Sequence, residues 1–209
     1  IFVIDPLYTL PFLICLIAVL FIKRKNPKRM KWNRLGLVIS SFYLLITVGI
    51  KLYVDEVFEN TLINEGYEYK RFDSRPTPLN AILWTSNIES EDRFLITYYS
   101  IFDAHQNLKF FEFAKNETLL NPYRNEPEIE RLIQLTKGFF TIEKTANGIA
   151  MNDLRFGLTE GFNNGQGDFV FTYLISKENG KLHVEQKKQN FKGMESALAD
   201  LWNRIKGKS

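Results

Sequence analysis

Two long apolar stretches open the chain, and a short basic segment separates them. Residues 7–22 form the first stretch and carry no charge, and residues 35–54 form the second, with Lys51 near its end as the single charge. A helix needs about 20 residues to cross the hydrocarbon core of a bilayer. The second stretch has that length, whereas the first has only 16 residues. The pattern therefore predicts a transmembrane hairpin within residues 1–66 and a separate soluble domain over residues 67–209.

The start of the first helix has two interpretations. Either Asp5 caps a slightly short helix, or the helix continues upstream and Asp5 is a functional acid inside it. Asp followed by Pro6 is a good helix start, which favours the cap. An acid at a membrane boundary is nevertheless a functional candidate. Asp5 is therefore the candidate catalytic residue of this chain.

The basic segment at residues 23–34 predicts the topology. It contains seven Lys and Arg residues and no acid. Short loops rich in Lys and Arg stay in the cytoplasm, so the chain after about Asp55 is expected on the extracytoplasmic side of a bacterial inner membrane. The net charge of +3 comes from 27 basic and 24 acidic residues, and without this loop the acids outnumber the bases. No nucleic-acid partner is therefore expected.

The remaining sequence predicts an α+β domain. Residues 55–64 keep helical spacing and extend the second membrane helix, and further helices are predicted at 127–137 and 194–206. Short apolar runs predict strands at residues 81–88, 94–102, 108–114, 139–144, 149–156, 168–176 and 182–186. The dipeptide Asn179-Gly180 predicts a tight turn between the last two strands. We expect a mainly antiparallel sheet of six or seven strands with two or three helices. Its core should be complete without the membrane hairpin.

Metal-ligating and nucleophilic patterns are scarce. His105 and His183 have no His or Cys partner at ligand spacing, and Cys15 is the single cysteine. The glycine-rich residues 157–167 are not followed by a helix, which favours a flexible loop over a phosphate site. No metal site is expected within these residues.

Two segments contain candidates for a binding cleft. Arg75, Asn80 and Trp84 lie in a segment stiffened by two prolines and could line a cleft, although a buried, strand-anchoring role for Trp84 is favoured. Asp153 and Arg155 are spaced to share one strand face. They could bind a ligand, but a structural ion pair is the favoured interpretation.

Three segments carry a family resemblance. The opening Ile-Phe-Val-Ile-Asp-Pro-Leu-Tyr-Thr-Leu-Pro, the segment Arg-Pro-Thr-Pro-Leu-Asn-Ala-Ile-Leu-Trp and the segment Asp-Leu-Arg-Phe-Gly, together with the two apolar helices, resemble the C-terminal part of the YdjM-like family. These bacterial inner-membrane proteins are described as LexA-binding, metal-dependent hydrolases. The resemblance covers the whole chain. It implies that the chain is the C-terminal piece of a longer hydrolase.

The resemblance also implies where the chemistry would lie. A divalent metal would be held mostly by histidine-rich membrane segments upstream of Ile1, with Asp5 at the rim of that site. The partners would be membrane lipid and the upstream helices of the same protein, and the present residues alone would be inactive. The alternative function is a non-catalytic extracytoplasmic binding domain anchored by the hairpin.

Overall fold

A computed structural model describes residues 5–104, 108–160, 162, 164–178, 180–188 and 194–208, so His105 and Asn179 lie outside the described residues. The helices are α1 (Pro6–Phe21), α2 (Lys28–Asn64), α3 (Pro127–Thr136) and α4 (Met194–Ile205), and a 3-10 helix covers Glu117–Tyr123. The strands are β1 (Arg71–Pro76), β2 (Leu83–Glu89), β3 (Arg93–Ser100), β4 (Phe111–Ala114), β5 (Phe140–Thr145), β6 (Gly148–Leu158), β7 (Phe169–Glu178) and β8 (Lys181–Gln186).

The helix α1 lies antiparallel along the first half of α2. Its start at Asp5 is tied to Tyr43 of α2 by a side-chain hydrogen bond of 2.7 Å. Further along, Cys15 meets Gly36, where an added Cβ would lie 2.9 Å from the Cβ of Cys15. The absence of a side chain at Gly36 therefore lets the two helices approach closely, as is common where apolar helices meet.

The helix α2 begins earlier than the apolar pattern predicts. The basic segment was expected as a loop over residues 23–34, but residues from Lys28 onward are helical. Lys, Arg and Met are good helix formers, and the Asn26 side chain accepts a hydrogen bond of 2.9 Å from the Lys28 amide. At the other end, the predicted extension over residues 55–64 is confirmed, because the helix continues without a break to Asn64.

Of the helices in the described residues, α2 alone is long and apolar enough to cross a membrane by length and composition. Its most apolar window has a mean hydropathy of 2.0 and is only 17% buried. The helix α1 is also apolar but has 16 residues.

The α+β class is confirmed, but the expectation of one sheet with six or seven strands was wrong. In the described residues, eight strands form two four-stranded antiparallel sheets, ordered β1-β2-β3-β4 and β5-β6-β7-β8. The strand missed by the sequence pattern is β1, whose Arg-Phe-Asp-Ser-Arg-Pro sequence is polar. It lies at a sheet edge, where a proline is tolerated because one side of the strand needs no partner.

The two sheets pack face to face. Leu83, Phe94 and Ile96 of the first sheet share a buried cluster with Leu154 and Phe169 of the second. The helix α4 closes this core with Leu201 and Ile205. The outer face of the second sheet is covered by α3 and the 3-10 helix.

The outer face of the first sheet is covered by the second half of α2. Val54, Phe58 and Leu62 of α2 are fully buried there, in clusters that also contain Trp84 and Ile88 of β2. The hydrophobic core thus crosses the predicted boundary between residues 66 and 67. The division into two domains itself stays a prediction.

Candidate functional site

Asp5 is a helix cap in the structure. It is 1% exposed, and its Oδ1 accepts a hydrogen bond of 3.0 Å from the Leu7 amide. Its Oδ2 accepts the hydroxyl hydrogen bond of Tyr43 at 2.7 Å. Both carboxylate oxygens are therefore engaged within the helix pair, as the capping interpretation expects.

The proline-containing segment is held by Asn80. The Oδ1 of Asn80 accepts hydrogen bonds from the amides of Ile82 at 2.9 Å and Leu83 at 2.7 Å. Its Nδ2 donates to the Thr77 hydroxyl and the Pro78 carbonyl, each at 2.9 Å. Asn80 thus satisfies backbone and side-chain groups of the turn before β2. A side chain used in this way organises the loop rather than presenting a free group to a ligand.

Trp84 lies in the core, as the favoured interpretation expects. Its side chain is 1% exposed, and its indole Nε1 donates to the Ala81 carbonyl at 3.1 Å. The ring lies on the sheet face that α2 covers, in one buried cluster with Phe58 of α2 and with Tyr99, its partner on β3. Trp84 therefore anchors the strand to the helix.

Asp153 and Arg155 form the expected ion pair. Asp153 is fully buried, and Arg155 donates to it from Nε at 3.0 Å and from Nη2 at 2.7 Å. These hydrogen bonds raise the pKa of Arg155 above its usual range. Burial raises the pKa of the neighbouring Tyr173, and the Asp153 charge raises it further. The buried carboxylate is thus compensated by one guanidinium, as a buried charge requires.

Arg75 links this pair to the first sheet. Its Nη1 donates to the carbonyl of Arg155 at 2.9 Å, and its guanidinium pairs with Asp73. The structure therefore brings together two segments that the sequence offered as separate candidates. Each of these charged groups already has a partner within the protein. The contact therefore serves to join the two sheets. Asp5, by contrast, lies with the apolar helices.

A second polar group between the sheets was not singled out from the sequence. Asn87 is fully buried on β2, and its Nδ2 donates to the carbonyl of Leu154 at 2.8 Å. Tyr98 on β3 lies on the same inner face, and its burial raises its pKa to about 12. The run of three polar residues from Thr85 to Asn87, inside a strand bounded by apolar residues, was the available signal. Asn87 joins the two sheets by its hydrogen bond across an otherwise apolar interface.

An open groove of about 590 Å³ lies on the second sheet. Its lining includes Asn147 of the β5–β6 turn, Ser176 of β7, and His183 and Glu185 of β8. His183 is directly opposite Ser176 in the strand pairing. His183, expected as a structural or surface residue, is exposed at this groove.

No metal site is formed by the residues that the structure describes. Within the described part of the chain, no three His, Cys, Asp or Glu side chains are grouped closely enough to hold an ion. The divalent metal that the family resemblance implies would need ligands from outside these residues.

Comparisons with known proteins leave the family open. Neither a protein-family model nor a curated protein nor a solved structure matches this chain. The resemblance to the YdjM-like family accordingly rests on the sequence segments quoted above.

Proposed function

We propose that this chain is a membrane-anchored binding domain. The helix α1 and the first half of α2 cross a bacterial inner membrane as a hairpin, and the two-sheet domain is presented on the extracytoplasmic side. There it binds a protein or another component of the cell envelope. The observation that carries this proposal is the change of exposure along α2.

The first half of α2 exposes its apolar side chains, and the second half buries them. Exposed apolar side chains of α1 and α2 include Leu10, Ile14, Ile17, Leu20, Leu37, Val38, Phe42, Leu45, Val48 and Leu52. From Val54 onward the inward-facing side chains of the same helix are in the core. Soluble monomers rarely expose a continuous apolar surface of this extent. We infer that lipid surrounds the first half of α2, whereas the first sheet covers the second half.

Charged residues support the depth and orientation of the hairpin. Lys51, at the point where exposure changes, donates to the carbonyl and hydroxyl of Ser74 at 3.2 and 2.9 Å and pairs with Asp55 at 3.1 Å. Its charge therefore finds partners in the domain just beyond the lipid. At the other end, the seven basic residues within 23–34 favour the cytoplasmic side.

The side chains of the candidate site favour binding over catalysis. Asn80 and the Asp153–Arg155 pair are committed to contacts within the protein. The groove beside His183 and Glu185 is a concave surface on the domain that a partner could occupy. Binding needs only such a surface, whereas hydrolysis would need an activated water and a group to hold it.

Thiol labelling tests the anchoring and its orientation. In a Cys15→Ala background, a cysteine replaces either Lys25 in the basic segment or Glu91 in the exposed β2–β3 turn. In intact spheroplasts, a membrane-impermeant maleimide should label the Glu91→Cys variant at once and the Lys25→Cys variant only after lysis. The opposite pattern refutes the orientation, and recovery of the chain in the soluble fraction refutes the anchor.

Site-specific crosslinking tests the binding role. A photoreactive amino acid in place of His183 should give a discrete adduct in growing cells, and the same residue in place of Glu91 should not. Adducts of equal yield at both positions, or none at His183, would count against the groove as the binding surface.

A second candidate function is the C-terminal part of a metal-dependent hydrolase. The observation that favours it is the buried Asp5–Tyr43 pair, which lies at the same end of the helix pair as the two-sheet domain. A metal site formed by upstream helices would then have Asp5 at its outer rim. Metal analysis of a longer protein that includes residues upstream of Ile1 tests this. A stoichiometric metal lost in the Asp5→Asn variant supports the hydrolase, and a metal-free protein rejects it.

A further inference from the structure

One end of the first sheet points back toward the apolar half of α2. Successive contacts show the direction: Lys51 meets Ser74, whereas Leu62, further along the helix, packs against Ile88. The strand β1 therefore runs toward the apolar half of α2 and ends at Pro76. At about 3.3 Å per residue, Pro76 lies about 7 Å beyond Ser74 in that direction.

The other loops at this end of the first sheet lie level with the end of β1. Leu83, the first residue of β2, is paired with Ser100, the last residue of β3. The turn after β3 and the loop at residues 77–82 therefore lie side by side. The end of α4 is fixed to the same place, because the Ser100 hydroxyl donates to the Ile205 carbonyl at 2.6 Å. Arg204 strengthens the attachment by pairing with Asp103.

This end of the domain carries exposed apolar and basic side chains, which we call the rim: Leu79, Phe102, Trp202, Lys206 and Lys208. The first three are 42%, 58% and 60% exposed. Leu79 has a φ of 67°, a left-handed conformation in which Leu is rare. The Nζ of Lys206 lies 5.2 Å from the centre of the Trp202 ring. The rim thus combines apolar tips with cations.

We propose that the rim inserts into the headgroup layer of the bilayer that α2 crosses, with Lys206 and Lys208 binding anionic phospholipid headgroups. This inference rests on the proposed anchoring of α1 and α2. Trp side chains favour the membrane–water interface, and Lys side chains extend their ammonium groups to the headgroups. The rim has this composition and lies at the level where the helix leaves the lipid.

The attachment of the domain to α2 keeps the rim against the bilayer. Lys51 and Asp55 fix β1 through Ser74, and the Tyr53 and Tyr99 hydroxyls lie 3.2 Å apart across the helix–sheet contact. Phe58, further along α2, is fully buried. The helix therefore cannot tilt freely against the sheet. The domain therefore rests on the membrane as one body with its anchor.

Nitroxide labelling of the full chain in lipid nanodiscs tests the proposal. In the Cys15→Ala background, single labels replace Leu79 or Phe102 in the rim, Glu91 at the opposite end of the domain, or Leu45 in the exposed apolar part of α2. Collision rates with oxygen, which enriches in lipid, and with a neutral nickel chelate, which enriches in water, report the depth of each label.

Both rim labels should collide with the nickel chelate several-fold less often than the Glu91→Cys label, and should still collide readily with oxygen. Rim labels as water-accessible as the Glu91→Cys label, with the Leu45→Cys label in lipid, would overturn the rim proposal alone. A water-accessible Leu45→Cys label would overturn the anchoring itself. Rim labels shielded from both reagents would show a protein contact, such as a second copy, and would also overturn lipid insertion.

The lysines are tested with the double variant Lys206→Glu/Lys208→Glu. In nanodiscs containing anionic lipid, the Phe102→Cys label should become several-fold more accessible to the nickel chelate than with both lysines present. In purely zwitterionic nanodiscs, the same substitution should have a much smaller effect. Equal effects in both lipids, or no effect in either, would refute headgroup binding by these lysines.

Discussion

Replacing Trp84 with Ala is expected to destabilise the two-sheet domain severely. The ring is 1% exposed and fills the contact between β2 and α2, where Phe58 and Tyr99 surround it. Truncation leaves a cavity between the helix and the sheet, and these neighbours can close it only in part. The Ala81 carbonyl also loses its hydrogen bond from the indole.

The size of the effect follows from the burial of the ring. A buried aromatic side chain removes about 150–250 Å² from water, which is worth about 4–6 kcal/mol at about 25 cal/mol per Å². Substitutions of buried Phe or Trp by Ala cost about 3–5 kcal/mol. With a urea dependence of about 2 kcal/mol per molar, the unfolding midpoint should fall by about 1.5–2.5 M.

Pulse proteolysis of the full chain in detergent micelles measures this midpoint, because a short protease exposure cleaves the unfolded domain in rising urea. Trp202→Ala is the matched control, since that ring is 60% exposed. Its free energy of unfolding should change by no more than about 0.5 kcal/mol. A Trp84→Ala midpoint close to that of the unsubstituted protein would refute the core role and return Trp84 to the list of cleft candidates.

Two further predictions concern the pH dependence and the extent of the core. Burial opposes ionisation of Glu89, but hydrogen bonds from Lys115 and Arg71 outweigh it and lower its pKa. Its stabilising contribution is therefore full above the unfolded pKa of about 4.3 and is lost as the pH falls through the lower folded value. The urea midpoints of Glu89→Gln and the unsubstituted protein should accordingly differ by a constant amount above about pH 4.3 and converge as the pH falls below it; a difference that stays constant below about pH 4.3 would contradict this. Secondly, a fragment of residues 51–209 should unfold cooperatively by circular dichroism, whereas residues 67–209 should aggregate, and a stable 67–209 monomer would show that α2 is dispensable.

Much of the fold was readable from the sequence, because its signals are local. The start of α1 follows from Asp5 and Pro6, and that of α3 from Pro127 and the acids after it. Strand runs were recognised because apolar side chains recur in short segments between turns. The hydrogen bonding of Asn80 to the turn before β2 could also be anticipated, because Asn side chains commonly bond to backbone amides two or three residues further along the chain.

The division into two sheets could not be read in the same way. How the two sheets pack against each other depends on contacts between distant residues, such as the hydrogen bond from Asn87 to the Leu154 carbonyl. The strand β1 escaped detection because its neighbours supply the apolar surface that its own sequence lacks. The meeting of Arg75 with Arg155 is another such contact, since 80 residues separate them. A single sequence contains no local signal for either of these two contacts.

The helix α2 explains why the anchor and the domain are hard to separate. Its periodicity is helical throughout, and the apolar stretch at residues 35–54 continues without a break into the extension at residues 55–64. In the structure, the apolar side chains of α2 change from exposed to buried near Lys51, whose ammonium group is held by Ser74 and Asp55. Above Lys51 the helix buries Val54 and Phe58 in the protein core. In the proposed arrangement, a helix that anchors the chain and also completes its core would set the orientation of the domain on the membrane, and for this reason we propose that the rim at the same end faces lipid.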